Sequence, residues 1–463
     1  MRKLFITLTL ASAALWATAQ TNISPEMLKT MRESNKLTAA EKALHTAMTN
    51  VDINELALNS HGVAKNTDVK FSHQVKSSGI TNQESSGRCW LFTGLNVMRA
   101  QAMDELGLPT TFFSPLYVFF YDQLEKSNLF LQSIIDTRKL PLNDRKVEWL
   151  LKNPLSDGGT YTGVADLVEK YGIVPQEVMP ENKVSNNTSR MNQILSLKLR
   201  EFALELRNMP AKTSEAVLAK RKAEMMGTVY HILSLTLGEP VQQFEWSRKD
   251  KDGNVLETKT YTPQEFYKEL IGEKLYDNYV LLMNDPSREY YKVYEIEYDR
   301  HMYDGHNWLY VNLPIEDIKE AAIASIKDNK AMYISCDVGK FYTRNSSYLD
   351  VNNFDYESLF GTTFGMDKKQ RIETFASGSS HAMTLVAVDL NAAGKPVKWM
   401  VENSWGSDRG YKGHLIMTDE WFNEYMFRVV VNKKYASKKI LDCLNQKPIL
   451  LPAWDPMFAE DND

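Results

Sequence analysis

The apolar pattern of this chain changes period along its length, and that change limits the folds open to it. Helical spacing governs "CWLFTGLNVMRAQAMDEL", "SPLYVFFYDQLEKSNLFLQSII", "GVADLVEKYG", "SEAVLAKRKAEMMGTVYHILSLTLG", "TPQEFYKEL" and "IEDIKEAAIASIKDN". The first clear strand is "KAMYISCDV"; "SHAMTLVAVDL", "KWMVENSW" and "GHLIMTDEW" follow, with loops at Asn391–Pro396 and Ser407–Gly413. Helices first and antiparallel-looking strands last predict an α+β fold.

Local signals set the boundaries. Ser114 as a cap with Pro115 in the first helical position opens a long, largely buried helix. Gly107 and Gly172 stop two others. Ser85 or Ser86 is expected to help end the loop that runs into Cys89, which starts its helix. "EWSRKDKDGNVLETKTYT" reads as a hairpin turning at Asp252-Gly253. Residues 20–70 are polar, helical near "LTAAEKALHTAMTN", and read as an N-terminal arm before a domain spanning 71–463. At 463 residues the chain can bury a large core as one elaborated domain or two.

The N-terminus carries an address. In "MRKLFITLTLASAALWATAQ", Arg2 and Lys3 precede an apolar run from Leu4 to Trp16, then Ala17-Thr18-Ala19. That pattern reads as a secretory signal peptide over 1–19, so a secreted or periplasmic protein is expected. An apolar run of about 13 residues is too short to span a bilayer, and no membrane association is expected. A net charge of −5 gives no electrostatic reason for nucleic acid as a main partner.

The three cysteines, Cys89, Cys336 and Cys443, leave at least one thiol free. Cys336 and Cys443 are either inert or paired with each other. No CxxC, HExxH or tight histidine pair occurs, so no metal and no cofactor is expected. "HMYDGH" is a weak metal pattern and reads as a solvated loop.

"NQESSGRCWLF" raises a different chemistry. A cysteine at a helix N-terminus feels the partial positive charge that favours thiolate. A nucleophile there also needs a base, a group to orient the base, and oxyanion donors. His381, opening a strand, is the candidate base. Asn403, 22 residues later, has an amide oxygen able to fix the imidazole tautomer, and Trp405 can cover that bond. Gln83, six residues before Cys89, carries an NH₂ group suited to an oxyanion hole. Each alone has a plainer reading: structural histidine, turn asparagine, solvated glutamine, buried thiol.

Together, in this order, they resemble the papain-like cysteine proteases, and more closely their bleomycin hydrolase/aminopeptidase C branch. The matching stretches include "NQESSGRCWLF", "YVFFYDQLEKSNLFLQSII", "DGGTY", "VEKYGIVP", "LGEPVQQFEW", "SCDVGK", "SHAMTLVAVD", "VENSWG" and "LPAWDPM", in order after about residue 60. The resemblance implies Cys89 as nucleophile, His381 as general acid/base, Asn403 as its orienter and Gln83 as oxyanion donor. It implies that Gly158 and Gly159 line the substrate cleft, where their other reading is a turn. His381 follows Cys89 by 292 residues, far more than simple papain-type chains require. The surplus corresponds to an insertion at about 180–340, which by resemblance builds a barrel-like homohexamer.

The same resemblance places the tail, about 452–463, in the cleft, with the terminal carboxylate of Asp463 meeting a substrate's free amino group. The expected function is a cysteine aminopeptidase acting on peptides. The alternatives are an endopeptidase of the same chemistry and a non-catalytic assembly scaffold or nucleic-acid binder.

Overall fold

The computed structural model describes residues 22–457 except 66–67, 251, 273 and 344–346; the expected signal peptide and Asp463 lie outside the described residues. The chain divides into two compact units. One holds the described residues up to Leu58 with Phe354–Thr362, and the other holds Asn59–Asn353 with those from Thr363 onward.

The smaller unit is built on capped helices. Ser24 caps α1 (Pro25–Ser34), Thr38 and Glu41 form a reciprocal capping box on α2 (Ala39–Met48), and Asp52 caps α3 (Ile53–Ala57). The Phe354–Thr362 segment joins them through a bridge between Leu58 and Phe354 and an Asp355 N–H bond to the Ala57 carbonyl (2.8 Å).

In the larger unit, α4 (Cys89–Leu106) is the central helix. Every residue from Trp90 to Ala102 is buried, and Gly107 ends the helix in the left-handed region at φ 62°. A helix buried on every face belongs inside a large core, and of its buried polar members Asn96 and Arg99 are hydrogen-bonded to each other. Gly94 lets α6 (Tyr161–Tyr171) approach, since a Cβ there would lie 2.6 Å from Val164. Ser114 Oγ accepts the Tyr117 N–H (3.1 Å) and Pro115 opens α5 (Pro115–Thr137), as the sequence leads one to expect. Two long helices, α7 (Ser189–Asn208) and α8 (Glu215–Leu237), pack on α5.

The sheet is mostly antiparallel. Its strands are β1 (His73–Gln74), β4 (Tyr279–Met283), β5 (Lys292–Ile296), β6 (Leu309–Asn312), β7 (Met332–Cys336), β8 (Tyr348–Leu349), β9 (His381–Leu390), β10 (Pro396–Glu402), β11 (His414–Thr418), β12 (Met426–Asn432) and β13 (Ile449–Leu451). They lie in the order β13-β5-β6-β4-β12-β7-β9-β10-β11-β8, with β1 on β9. Strands β2 (Phe244–Lys249) and β3 (Val255–Tyr261) form the separate hairpin expected around Asp252-Gly253. Helices with an antiparallel-rich sheet are the α+β class expected.

One expectation is corrected. The sequence predicts helices and one hairpin before residue 310, with the first clear strand at 330–338. Strands β4, β5 and β6 precede it and extend the main sheet. Each is four or five residues long. "YVLLM" is buried at four of its five positions, so it shows neither alternation nor enough length to separate strand from helix.

Candidate active site

Cys89 is the first residue of α4, and no side chain caps that helix. The N-cap is Arg88, and Ser86, expected to help end the incoming loop, turns its Oγ back to donate to the Gln83 carbonyl (2.6 Å). Arg88 is fully buried. Its guanidinium grips Glu181 through both terminal nitrogens (3.1 and 2.6 Å) and donates to the Ser185 carbonyl (2.7 Å). Asp157 accepts the Gly87 N–H (2.7 Å), and its carbonyl accepts the Trp90 indole N–H (2.8 Å). The residues on both sides of Cys89 are thus tied down. A Cβ on Gly87 would sit 2.5 Å from the Asp157 carboxylate, which is why glycine stands there.

His381 begins β9, opposite Cys336 on β7. The next backbone amide, Ala382 N–H, donates to Cys89 Sγ (3.5 Å). His381 Nε2 lies 2.9 Å from Asn403 Oδ1, which also accepts the Ser404 N–H (2.8 Å). With Nε2 as donor to the amide oxygen, the other ring nitrogen is the proton acceptor. The Trp405 ring lies 4.8 Å from the imidazole, tilted by 32°. Trp405 thus covers the His381–Asn403 bond, and of the residues expected to bind substrate it does not join Gly158 and Gly159 in lining the cleft.

Burial pushes the Cys89 thiol up to about 11, opposed by the Ala382 N–H, and pushes the His381 imidazole down to about 4, opposed by Asn403. Each group alone therefore resists charging. Charged together, thiolate and imidazolium supply each other's counter-ion.

Gln83 is held at both ends of its side chain and along its backbone. Its N–H donates to the Ser404 carbonyl (2.8 Å), Ser404 Oγ donates to its Oε1 (2.6 Å), and its Nε2 donates to the Ser86 carbonyl (2.6 Å). One N–H of that amide remains to serve the cleft. The cleft has a volume of about 840 Å³, and Gln83, Cys89, Gly158, Gly159 and His381 all line it.

The described part of the tail reaches the same cleft, which Ala453 and Trp454 also line. Arg428 Nη2 donates to the Met457 carbonyl (2.9 Å), and Arg288 pairs with Asp455. The Pro456 carbonyl lies 3.8 Å from where a Cβ of Gly378 would be, three residues before His381.

Sequence reasoning missed Ser404 and Asp157, each of which stands beside a residue it did single out. It also misread "HMYDGH". His301 is 2% exposed, with Nδ1 2.5 Å from Asp122, and His306 pairs with Asp166 (2.6 Å). Among the described residues no group of three or more metal-ligating side chains occurs. Cys336 and Cys443 are both buried and free, so the pairing alternative is closed. No helix among the described residues is long and apolar enough to cross a membrane.

The family model of the "Peptidase C1-like family" matches residues 22–458. Bleomycin hydrolase of Homo sapiens is 42% identical over 400 residues, covering 84% of this chain and 88% of its own. Aminopeptidase C of Lactobacillus delbrueckii subsp. lactis is 38% identical over 399 residues, covering 85% and 88%. The crystal structure of pepw from Lactobacillus rhamnosis superposes with a TM-score of 0.90 at 36% identity, covering 95% of this chain and 99% of that one. With a thiol at a helix start, an imidazole on the neighbouring strand and relatives alike over most of their length, the chain belongs to the Peptidase C1-like family of cysteine peptidases.

Proposed function

We propose that this chain is a cysteine aminopeptidase that releases N-terminal residues from peptides. The observation that carries the reading is the convergence of Cys89 Sγ, 3.5 Å from the Ala382 N–H, with a His381 ring bonded to Asn403 at 2.9 Å.

In this mechanism His381 takes the Cys89 proton, and the thiolate attacks the carbonyl carbon of the peptide's first residue. The oxyanion that forms accepts hydrogen bonds from Gln83 Nε2 and the Cys89 N–H. Protonated His381 then gives its proton to the leaving amine as the C–N bond breaks, leaving a thioester. Water, deprotonated by His381, attacks the thioester, and the thiol returns with its proton. Gly158 and Gly159 offer backbone groups to the substrate.

The exopeptidase reading rests on the tail, because Ala453 and Trp454 line the cleft and two arginines hold the segment that follows. A tail entering the non-primed side leaves room for one residue before the scissile bond, and the Asp463 carboxylate meets its amino group. Export by the 1–19 signal and assembly into a homohexamer belong to the same proposal, supported by the sequence pattern and by resemblance.

The test uses purified mature protein with paired free and N-acetylated peptides. An aminopeptidase cleaves the free peptide and spares the blocked one. Equal cleavage of both sinks the exopeptidase reading and leaves the cysteine chemistry standing. Mass spectrometry of the same sample reads the N-terminus, and an unprocessed Met1 sinks the export proposal.

A further inference from the structure

We propose that His301, held by Asp122 and acting beside Lys126, is a positioning residue for the substrate-binding backbone at Gly158–Thr160. The inference deepens the aminopeptidase reading and rests on it.

The cluster is part of the cleft wall: Lys126 and His301 line the cleft, and Asp122 lies behind them. Asp122 and Lys126 are one turn apart on α5, and Asp122 is fully buried. Asp122 Oδ1 lies 2.5 Å from His301 Nδ1, and its Oδ2 lies 3.0 Å from Lys126 Nζ. The Lys126 ammonium donates in turn to the Gly158 carbonyl (2.5 Å) and the Ser156 carbonyl (3.1 Å). On the other side His301 Nε2 accepts the Thr160 N–H (3.3 Å). Its ring fills the space under the glycines: a Cβ would lie 2.2 Å from it at Gly159 and 2.4 Å at Gly163. The Trp90 ring closes the remaining face edge-on at 4.6 Å.

These partners define one protonation state. Nε2 accepts from a backbone N–H, so it carries no proton, and Nδ1–H donates to the Asp122 carboxylate. The ring is neutral, in agreement with burial holding its pKa below the ordinary imidazole value. Peptide units from 156 to 160 are therefore gripped at two carbonyls by Lys126 and at one N–H by His301. Gly158, Gly159 and Thr160 line the cleft that holds Cys89. Two glycines in a row have no side chains to fix their backbone, so something beneath must do it. The His301 ring, carried on a loop, does so while a carboxylate from α5 holds it. It touches neither Cys89 nor the reacting atoms, so its effect falls on substrate binding rather than on the chemical step.

The experiment measures kcat and KM on an aminoacyl anilide, together with the iodoacetamide alkylation rate of Cys89, which reports the nucleophile without any substrate. His301→Leu fills the space but bonds to nothing. It is expected to raise KM about tenfold, the scale of one buried hydrogen bond lost, with kcat and alkylation within threefold of wild type. His301→Gln offers an N–H to Asp122 and an oxygen to Thr160, and is expected to restore KM to within threefold. Wild-type KM in His301→Leu overturns the proposal. So does a collapse of kcat and alkylation along with binding, which marks a merely structural role. If His301→Leu does not fold, Asp122→Asn and His301→Gln decide: a raised KM in the first and near-wild-type KM in the second support it, and the reverse overturns it. Wild-type enzyme inactive on the anilide overturns the aminopeptidase reading instead.

Discussion

Gln83 and Ser404 hold each other across the cleft floor: the Gln83 N–H donates to the Ser404 carbonyl at 2.8 Å, and Ser404 Oγ donates to Gln83 Oε1 at 2.6 Å. The two residues come from opposite ends of the chain, and Ser404 directly follows the asparagine that orients His381. The hydroxyl fixes which end of the Gln83 amide faces the oxyanion. Gln83→Ala is therefore expected to lower kcat about 10²- to 10³-fold, the range for one oxyanion donor. Ser404→Ala, which leaves the donor present but its amide held only through the Nε2 bond to the Ser86 carbonyl, is expected to lower kcat by about three- to tenfold. Steady-state kinetics on an aminoacyl anilide checks both, and equal losses in the two variants would count against a purely orienting role for Ser404.

The thiol and imidazole make a pH prediction. With His381 neutral, burial holds the Cys89 thiol at about 11, so an isolated thiol here is protonated at neutral pH. An imidazolium beside it lowers the thiol pKa, because an opposite charge favours the ionised form. Removing the ring removes that counter-ion, and thiolate then appears only as pH rises toward 11. Wild-type protein is expected to react with iodoacetamide at neutral pH. The alkylation midpoint of His381→Ala is expected to move upward by several pH units. An unmoved midpoint would mean that the helix N-terminus and the Ala382 N–H activate the thiol without His381.

The sequence exposed those parts of this site whose signals are local. Cys89 and Gln83 share eleven consecutive residues beside a helix start, and His381 and Asn403 sit at the ends of apolar runs, where a lone polar side chain stands out. Strand β4 was invisible because its burial erases the alternation that marks a half-exposed strand. His301 was misread for a different reason. Its partner Asp122 is 179 positions away, and only the fold turns a polar loop residue into the floor under Gly159. Ser404 needed the structure too, since a serine next to an asparagine in a turn has an ordinary explanation.

A buried ion pair joins the helix of the nucleophile to the strand that leads into Asn403. Arg99 Nη2 lies 2.5 Å from Glu402 Oε1, with both side chains 2% exposed, and Arg99 also donates to Asn96 Oδ1 (2.6 Å) and the Gly79 carbonyl (2.9 Å). Glu402→Gln leaves a guanidinium buried without its counter-charge, which costs about 3–5 kcal/mol. The unfolding midpoint in urea is expected to fall accordingly. The double variant Arg99→Met with Glu402→Leu is expected to recover much of that loss, because a buried pair replaced whole by apolar groups leaves no orphaned charge. Its kcat tests whether the pair also aligns Cys89 with Asn403.

The tail supplies the last prediction, and it separates two ways of restricting a cleft. Asp455 pairs with Arg288, Arg428 holds the Met457 carbonyl, and Trp454 lies 4.5 Å from the Arg145 guanidinium. These anchors come from loop, strand and helix, so the segment is fastened from several sides before its final residues begin. If the tail limits the cleft to one residue beyond the scissile bond, loosening its anchor admits longer chains. Asp455→Ala leaves Cys89, His381 and Gln83 untouched and removes the carboxylate that neutralises Arg288. It is expected to cleave N-acetylated peptides that wild type spares, with activity on free peptides retained, and to lower the unfolding midpoint, since Asp455 is buried and removing one partner of a buried pair is destabilising. Deleting residues 458–463 is expected to act in the same direction and more strongly, because it shortens the proposed obstruction itself rather than loosening its anchor. Variants that still reject every blocked peptide would move the source of exopeptidase selectivity from the tail to the cleft walls.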